Sequence, residues 1–156
     1  MISAAKEYCL LVEHLETYKN DQWLADAARI LPRIQTSMAY LDQPEIEYSF
    51  FVLPDLEDRF ELYCQLKDRF GEDDAYWLEY DSNSLLEEAT GSLASDFSDI
   101  YFELKRGLNL LNTGEGEDQD VLRLWQTGYV LNWGQHLLNA QKHLYSLRVD
   151  IQYKTD

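Results

Sequence analysis

Three carboxylates, Asp96, Asp99 and Glu103, stand three and four positions apart in the stretch GSLASDFSDIYFELKRGL, residues 91–108. That spacing places them on one side of a helix. At about 100° per residue, the row lies a quarter-turn or more from the centre of the apolar stripe Leu93, Phe97, Ile100, Leu104, Leu108 and Leu111. It therefore flanks a core instead of pointing directly away from it. Carboxylates at a groove edge are what a hard cation such as Mg²⁺ needs, with waters or substrate phosphates completing its shell. Folding alone offers a competing explanation. Asp96 falls in the first helical turn, where the helix dipole favours negative charge, and Glu103 can pair with Arg106 one turn on.

His136 is the second candidate for chemistry. It shares a helix face with Trp133 and Ala140, and His143 follows two turns later. On an apolar face a histidine is commonly a core residue with its ring nitrogens satisfied. Opposite Asp96 or Asp99, however, it forms an Asp–His pair of catalytic or metal-binding shape. The candidate patch is thus Asp96, Asp99, Glu103, Trp133 and His136, with Asp96 and Asp99 the ligands of any metal. The chain has no phosphate-binding G-x-x-x-x-G-K-[ST], no G-x-G-x-x-G and no H-E-x-x-H. It also lacks G-x-S-x-G and the Glu-x-x-His pairs of di-iron bundles. No complete catalytic constellation is legible, so the balance leans away from an enzyme, and Mg²⁺ is the one cofactor to consider.

Charge narrows the partners. Twenty-nine acids against thirteen bases leave a formal charge of −16. Nucleic-acid backbones are bound by Lys and Arg displacing counterions, and anionic membranes repel a chain of this sign. From Gly71 to Leu104 there are ten acids and no Lys or Arg, so negative potential concentrates in the middle of the chain. Solubility explains much of it. An acidic face for a basic protein partner is the sharper expectation, with mimicry of DNA behind it. No apolar run reaches the ~20 residues that cross a bilayer. The N-terminus, with Glu7, Glu13 and Glu16 among spaced apolar residues, does not read as a signal peptide. Cys9 and Cys64 fall on apolar faces and read as free thiols, which suits a reducing cytoplasm.

The elements that must position these residues read as an all-α, single-domain bundle of about five main helices over residues 1–156. The first spans Ile2 to Lys19. The second follows Asn20 and Asp21, with Asp21 as its N-cap and Pro32 kinking or dividing it. Asp42 to Leu53 reads as an extended connector. A third helix opens after Pro54-Asp55, with Leu56, Phe60, Tyr63, Leu66 and Phe70 on its inner side and Gly71 closing it. An irregular acidic crossover comes next, in which Ala75 to Tyr80 reads as a short strand or an extended segment and Asp81 to Ser84 as a turn. Gly91 then frees the entry turn and Ser92 caps the helix that carries the carboxylate row. The last helix runs from about Asp118 to Val149 along Leu122, Trp125, Tyr129, Trp133, Ala140, Leu144 and Leu147. A second row through Val121, Leu124, Leu131 and Leu138 makes it the expected central helix. Gly128 and Gly134 inside it mark close packing or a bend.

The run GSLASDFSDIYFELKRGL, with Trp133-Gly134-x-His136 after it, resembles the signature of a bacterial family of helical proteins with no assigned function. Leu31-Pro32-Arg33 and Pro44 are similar to that family's N-terminal half. The resemblance implies that Asp96, Asp99, Lys105, Gly107, Trp133 and His136 match motif positions, and it brings no activity with them. A weaker likeness is to all-α nucleotide pyrophosphatases of the MazG type, which hold Mg²⁺ around a triphosphate. There Asp96-x-x-Asp99 and Glu13-x-x-Glu16 stand for the two acidic motifs, although Asp replaces Glu and the pairs lie far apart. The leading expectation is a cytoplasmic interaction module that binds a protein partner. The alternative is a Mg²⁺-dependent nucleotide-phosphate hydrolase.

Overall fold

Residues 1–41, 55–78 and 90–153 are described by the computed structural model. They form α1 (Ile2–Glu13), α2 (Asn20–Ala39), α3 (Leu56–Phe70), β1 (Ala75–Trp77), β2 (Thr90–Ser92), α4 (Leu93–Thr113), α5 (Asp118–Gly128) and α6 (Gly134–Tyr153). Between α5 and α6 a single π turn, Tyr129–Trp133, keeps the rod continuous. The bundle of five helical rods expected from the periodicity is what forms. The expected connector over Asp42–Leu53 and the turn at Asp81–Ser84 lie outside the described residues.

Local signals explain the element ends. The Ser92 hydroxyl accepts from the Ser95 amide at 3.2 Å, as an N-cap should. Gly114, at φ +70°, closes α4 in the left-handed region. The first helix stops earlier than expected, at Glu13, and a 3₁₀ turn (Leu15–Thr17) completes it. Lys19, not Asp21, is the N-cap of α2, and Asp21 sits in the first turn. Pro32 does not divide α2, which runs unbroken through it. Its side chain faces solvent, so the displaced backbone carbonyl is on the wet side, where water can satisfy it.

Two registers differ from the periodic reading. On α3 the buried residues are Arg59, Leu66 and Phe70, whereas Leu56 and Phe60 are exposed. On the last rod the core row passes through Val121, Trp125, Trp133, Leu137, Ala140 and Leu144. Leu138, expected to be apolar-facing, is half exposed. A π turn holds one more residue than an α turn, so it rotates the register of α6 by about 100° relative to α5. The expected main row through Trp125, Trp133, Ala140 and Leu144 is buried, whereas Leu138 of the second row is not.

The centre of the bundle is α4, not the last rod: α1, α3, α5 and α6 all pack against it. Its stripe of Leu93, Phe97, Ile100 and Leu104 is fully buried, each large apolar side chain contributing roughly 1.5–3 kcal/mol. Phe97 meets Trp23 edge-on at 4.9 Å between centroids and packs on Phe70 at 5.7 Å. Gly107 makes the close approach to α5 possible, since a Cβ there would lie 2.4 Å from Trp125 Nε1. Cys9 and Cys64 are free, and burial pushes the Cys9 thiol up to about 12, so it behaves as a small apolar side chain.

Candidate functional site

The carboxylate row runs down α4 from its N-cap, and each member meets a partner from a different element. Asp96 is only 3% exposed. It accepts a hydrogen bond from the Tyr76 hydroxyl of β1 and another, at 2.8 Å, from His136 Nδ1 of α6. The other ring nitrogen, Nε2, lies 3.5 Å from Asp99. Asp99 in turn accepts from Arg59 of α3 at 2.8 Å, and the same guanidinium reaches Glu103 at 2.9 Å. Arg106 approaches the second oxygen of Glu103 at 3.5 Å. Glu103, 2% exposed, sits as deep as Asp96. Phe102 covers the Arg59 guanidinium at 5.2 Å.

The result is a chain of alternating charge from Tyr76 through Asp96, His136, Asp99, Arg59 and Glu103 to Arg106. Burial alone would lower the His136 pKa, but its hydrogen bond to Asp96 and the charges of Asp99 and Asp96 outweigh that, and it is raised. Burial pushes the Asp96 carboxyl up, against the pull of His136 and Tyr76. The imidazole thus sits between two carboxylates, hydrogen-bonded to Asp96 through Nδ1 and with Nε2 near Asp99. Among the described residues no group of three or more His, Cys, Asp or Glu side chains is placed to hold a metal ion. The Arg59 and Arg106 guanidinium groups supply positive charge beside Asp99 and Glu103.

Trp133, the remaining candidate, is fully buried in the core. Its Nε1 donates to the Trp125 carbonyl at 3.2 Å, and Trp125 Nε1 donates to the Glu103 carbonyl at 3.1 Å. It packs the π turn against α4, and its indole and the Glu103 carboxylate come together at Gly128, where a Cβ would lie 3.0 Å from Trp133 Nε1 and 3.2 Å from Glu103 Oε2. The second acidic pair of the pyrophosphatase comparison lies elsewhere. Glu13 is bound to Tyr101 and Lys105, which stand about 140–180° around α4 from Asp96. Glu13 and Asp96 consequently face different sides of the central helix.

Three participants escape a reading of the sequence. Arg59 carries the strongest missed signal, since it occupies the buried register of α3 seven residues before Leu66. An arginine on an apolar stripe calls for a buried acid. Tyr76 and Asp74 come from the irregular crossover and had no periodicity to expose them. Asp74, 3% exposed, accepts from the Ala94 amide at 2.7 Å and from the Ser92 hydroxyl, pinning the start of α4.

The antiparallel pair β1–β2, in register Ala75↔Ser92, Tyr76↔Gly91 and Trp77↔Thr90, hangs on this network. The Tyr76 ring lies over Gly91, where a Cβ would come within 2.2 Å of it, and packs against the His143 ring at 4.8 Å. His143 Nε2 is 2.8 Å from the Asp73 carbonyl. Beyond Tyr76, between β1 and α6, opens a groove of about 800 Å³ bordered by Trp77, Gln135, Asn139, Lys142, His143 and Ser146 among others.

Comparison with known proteins agrees with the helical reading. The family model described as "Domain of unknown function (DUF5063)" matches residues 1–150. The chain belongs to this family. Among solved structures, the crystal structure of protein BF1032 from Bacteroides fragilis is similar at a TM-score of 0.75 and 24% identity. The match covers 94% of this chain and 88% of that one, and it speaks to the fold alone. No curated protein matches the chain. The family and the solved structure leave activity unassigned. The likeness to nucleotide pyrophosphatases finds no support in either.

Proposed function

We propose that the protein is a non-catalytic binding module that takes a protein partner at the groove between β1 and α6. The observation that carries this reading is Trp77. It is 68% exposed, on a strand whose neighbouring Tyr76 is locked to Asp96, Gly91 and His143. A rigid exposed tryptophan loses little conformational freedom on docking, and Trp and Tyr dominate the energetics of protein interfaces. Leu138 and Tyr145 of α6 are exposed as well, and by helical angle they flank Lys142.

The carboxylate row has a supporting part in this reading. Asp96, Asp99 and Glu103 are engaged inside the molecule and present little surface to a basic partner. Their work is to hold β1, α3 and α6 on α4, and so to set the wall of the groove. His136, hydrogen-bonded to Asp96 and beside Asp99, shares this positioning part.

Affinity capture from extracts of the native host tests the proposal. A partner retained stoichiometrically by the wild type should be lost with Trp77→Ala and reduced with Tyr145→Ala. Tyr40→Ala, equally bare at the end of α2, should retain it. Undiminished recovery with Trp77→Ala would sink the groove as the docking surface.

A further inference from the structure

We infer that Arg59 of α3 is a positioning residue for the β1 wall of the groove, acting across α4 through Asp99, His136 and Asp96 on Tyr76. The inference rests on the binding-module reading for its purpose, since β1 carries Trp77, but its test needs no partner.

The argument lies in how two carboxylates divide their oxygens. Asp96 Oδ1 is 2.8 Å from His136 Nδ1, and its Oδ2 takes the Tyr76 hydroxyl. Asp99 is divided in the same way, with Oδ1 2.8 Å from Arg59 Nη1 and Oδ2 3.5 Å from His136 Nε2. The imidazole is the part they share, with one nitrogen toward each acid. A carboxylate engaged at both oxygens cannot turn without giving up a partner on one side. Displacement of the guanidinium is therefore passed to Asp99, then to the ring, then to Asp96 and Tyr76.

Burial keeps the relay from slipping. Asp96 is 3% exposed and Arg59 8%. On an open surface a loosened carboxylate replaces a lost donor with water, whereas inside the protein that donor is not replaced and its loss is costly. Low local dielectric also lets hydrogen bonds in series strengthen one another.

Both ends of the relay are anchored. The Arg59 guanidinium also holds Glu103 at 2.9 Å and lies over the Phe102 ring, so it registers how α3 sits on α4. At the far end the Tyr76 ring lies against Gly91 and His143. The strand is only Ala75–Trp77, so a shift of Tyr76 is a shift of its neighbour Trp77 and of the groove wall.

Hydrogen exchange of the β1–β2 ladder amides, followed by NMR on the full chain, reads local opening of that wall. Arg59→Met and Tyr76→Phe should each speed exchange there by about fivefold, the equivalent of one net hydrogen bond. The double variant should be little faster than either single one, because both break the same relay. Gly107→Ala, which disturbs α4 against α5 away from the relay, should leave these amides as in the wild type. If Arg59→Met does not fold, Asp99→Ala cuts the relay at its next member and completes the same cycle. Fold-changes that multiply in the double variant, or an equal response to Gly107→Ala, overturn the proposal. Multiplying effects alongside a partner lost with Trp77→Ala would sink the positioning role and leave the binding module. A coupled relay with no such partner would leave the positioning role and sink the module.

Discussion

Replacing Arg59 by Met removes a cation shared by Asp99 and Glu103, together with its contact on the Phe102 ring, while keeping an unbranched side chain. Among the described residues Glu103, 2% exposed, then keeps Arg106 as its ion-pair partner at 3.5 Å. Removing one partner of a buried ion pair costs ~3–5 kcal/mol, because the remaining charge stays desolvated. Arg106 offsets part of that, so the expected cost is about 3 kcal/mol. For a domain of this size each kcal/mol lowers the melting temperature by ~2–4 °C, giving a loss of roughly 6–12 °C. Urea titration monitored by circular dichroism reads the same quantity from the midpoint at constant slope. The decisive measurement is a cycle. Glu103→Gln in the Arg59→Met background removes the stranded charge and should recover more than half of the loss. A cost under about 1 kcal/mol for Arg59→Met, or strictly additive losses in the double variant, would refute a buried pair at this position.

Stability should fall as pH rises through neutrality. The folded-state pKa of His136 is raised by Asp96 and Asp99, and that of Asp96 by burial, so the native state holds more protons than the unfolded chain and the slope with pH is negative. The His136 contribution is complete below about 6.5 and disappears as pH passes its raised folded value. Urea midpoints at pH 6 and pH 8.5 should differ in that direction, and His136→Gln should flatten the difference. Gly107→Ala should cost about 1–3 kcal/mol by overpacking, since the new methyl meets the Trp125 indole, with a shift in tryptophan emission as the second readout. Millimolar Mg²⁺ should leave the melting temperature unchanged. A rise that Asp99→Asn abolishes would restore a metal to the Asp96–Asp99 pair.

Much of α4 was legible before any coordinates. Gly91 and Ser92 announced its start, and the three- and four-residue steps of its apolar stripe placed Asp96, Asp99 and Glu103 together beside the core. These are short-range properties. Caps, left-handed glycines and helical periodicity act over a turn or two, so the local sequence is enough to read them. The same logic failed wherever a register depended on something outside the window. Leu56 and Phe60 look like core residues of α3, but the bundle buries Arg59 instead. Leu138 continues an apolar row along the sequence, but the π turn at Tyr129–Trp133 rotates it outward.

The sequence by itself determined a helical bundle, a strongly negative chain and one helix with a sided row of carboxylates. Only the tertiary structure decided what that row does. Arg59 lies 40 residues before Asp99 and 44 before Glu103, Tyr76 lies 20 before Asp96, and His136 lies 40 after it. A carboxylate taken out of water demands a counter-charge or donors, but nothing in its own neighbourhood names which of the chain's thirteen bases will come. Packing makes that choice, because each rod has one face it must bury and the charges ride on its edges. Asp96, Asp99 and Glu103 of the base-free middle thus became a joint whose counter-charges come from α3, α6 and the next turn of α4. The groove beside it, between β1 and α6, is invisible to any count along the sequence and is the surface to test.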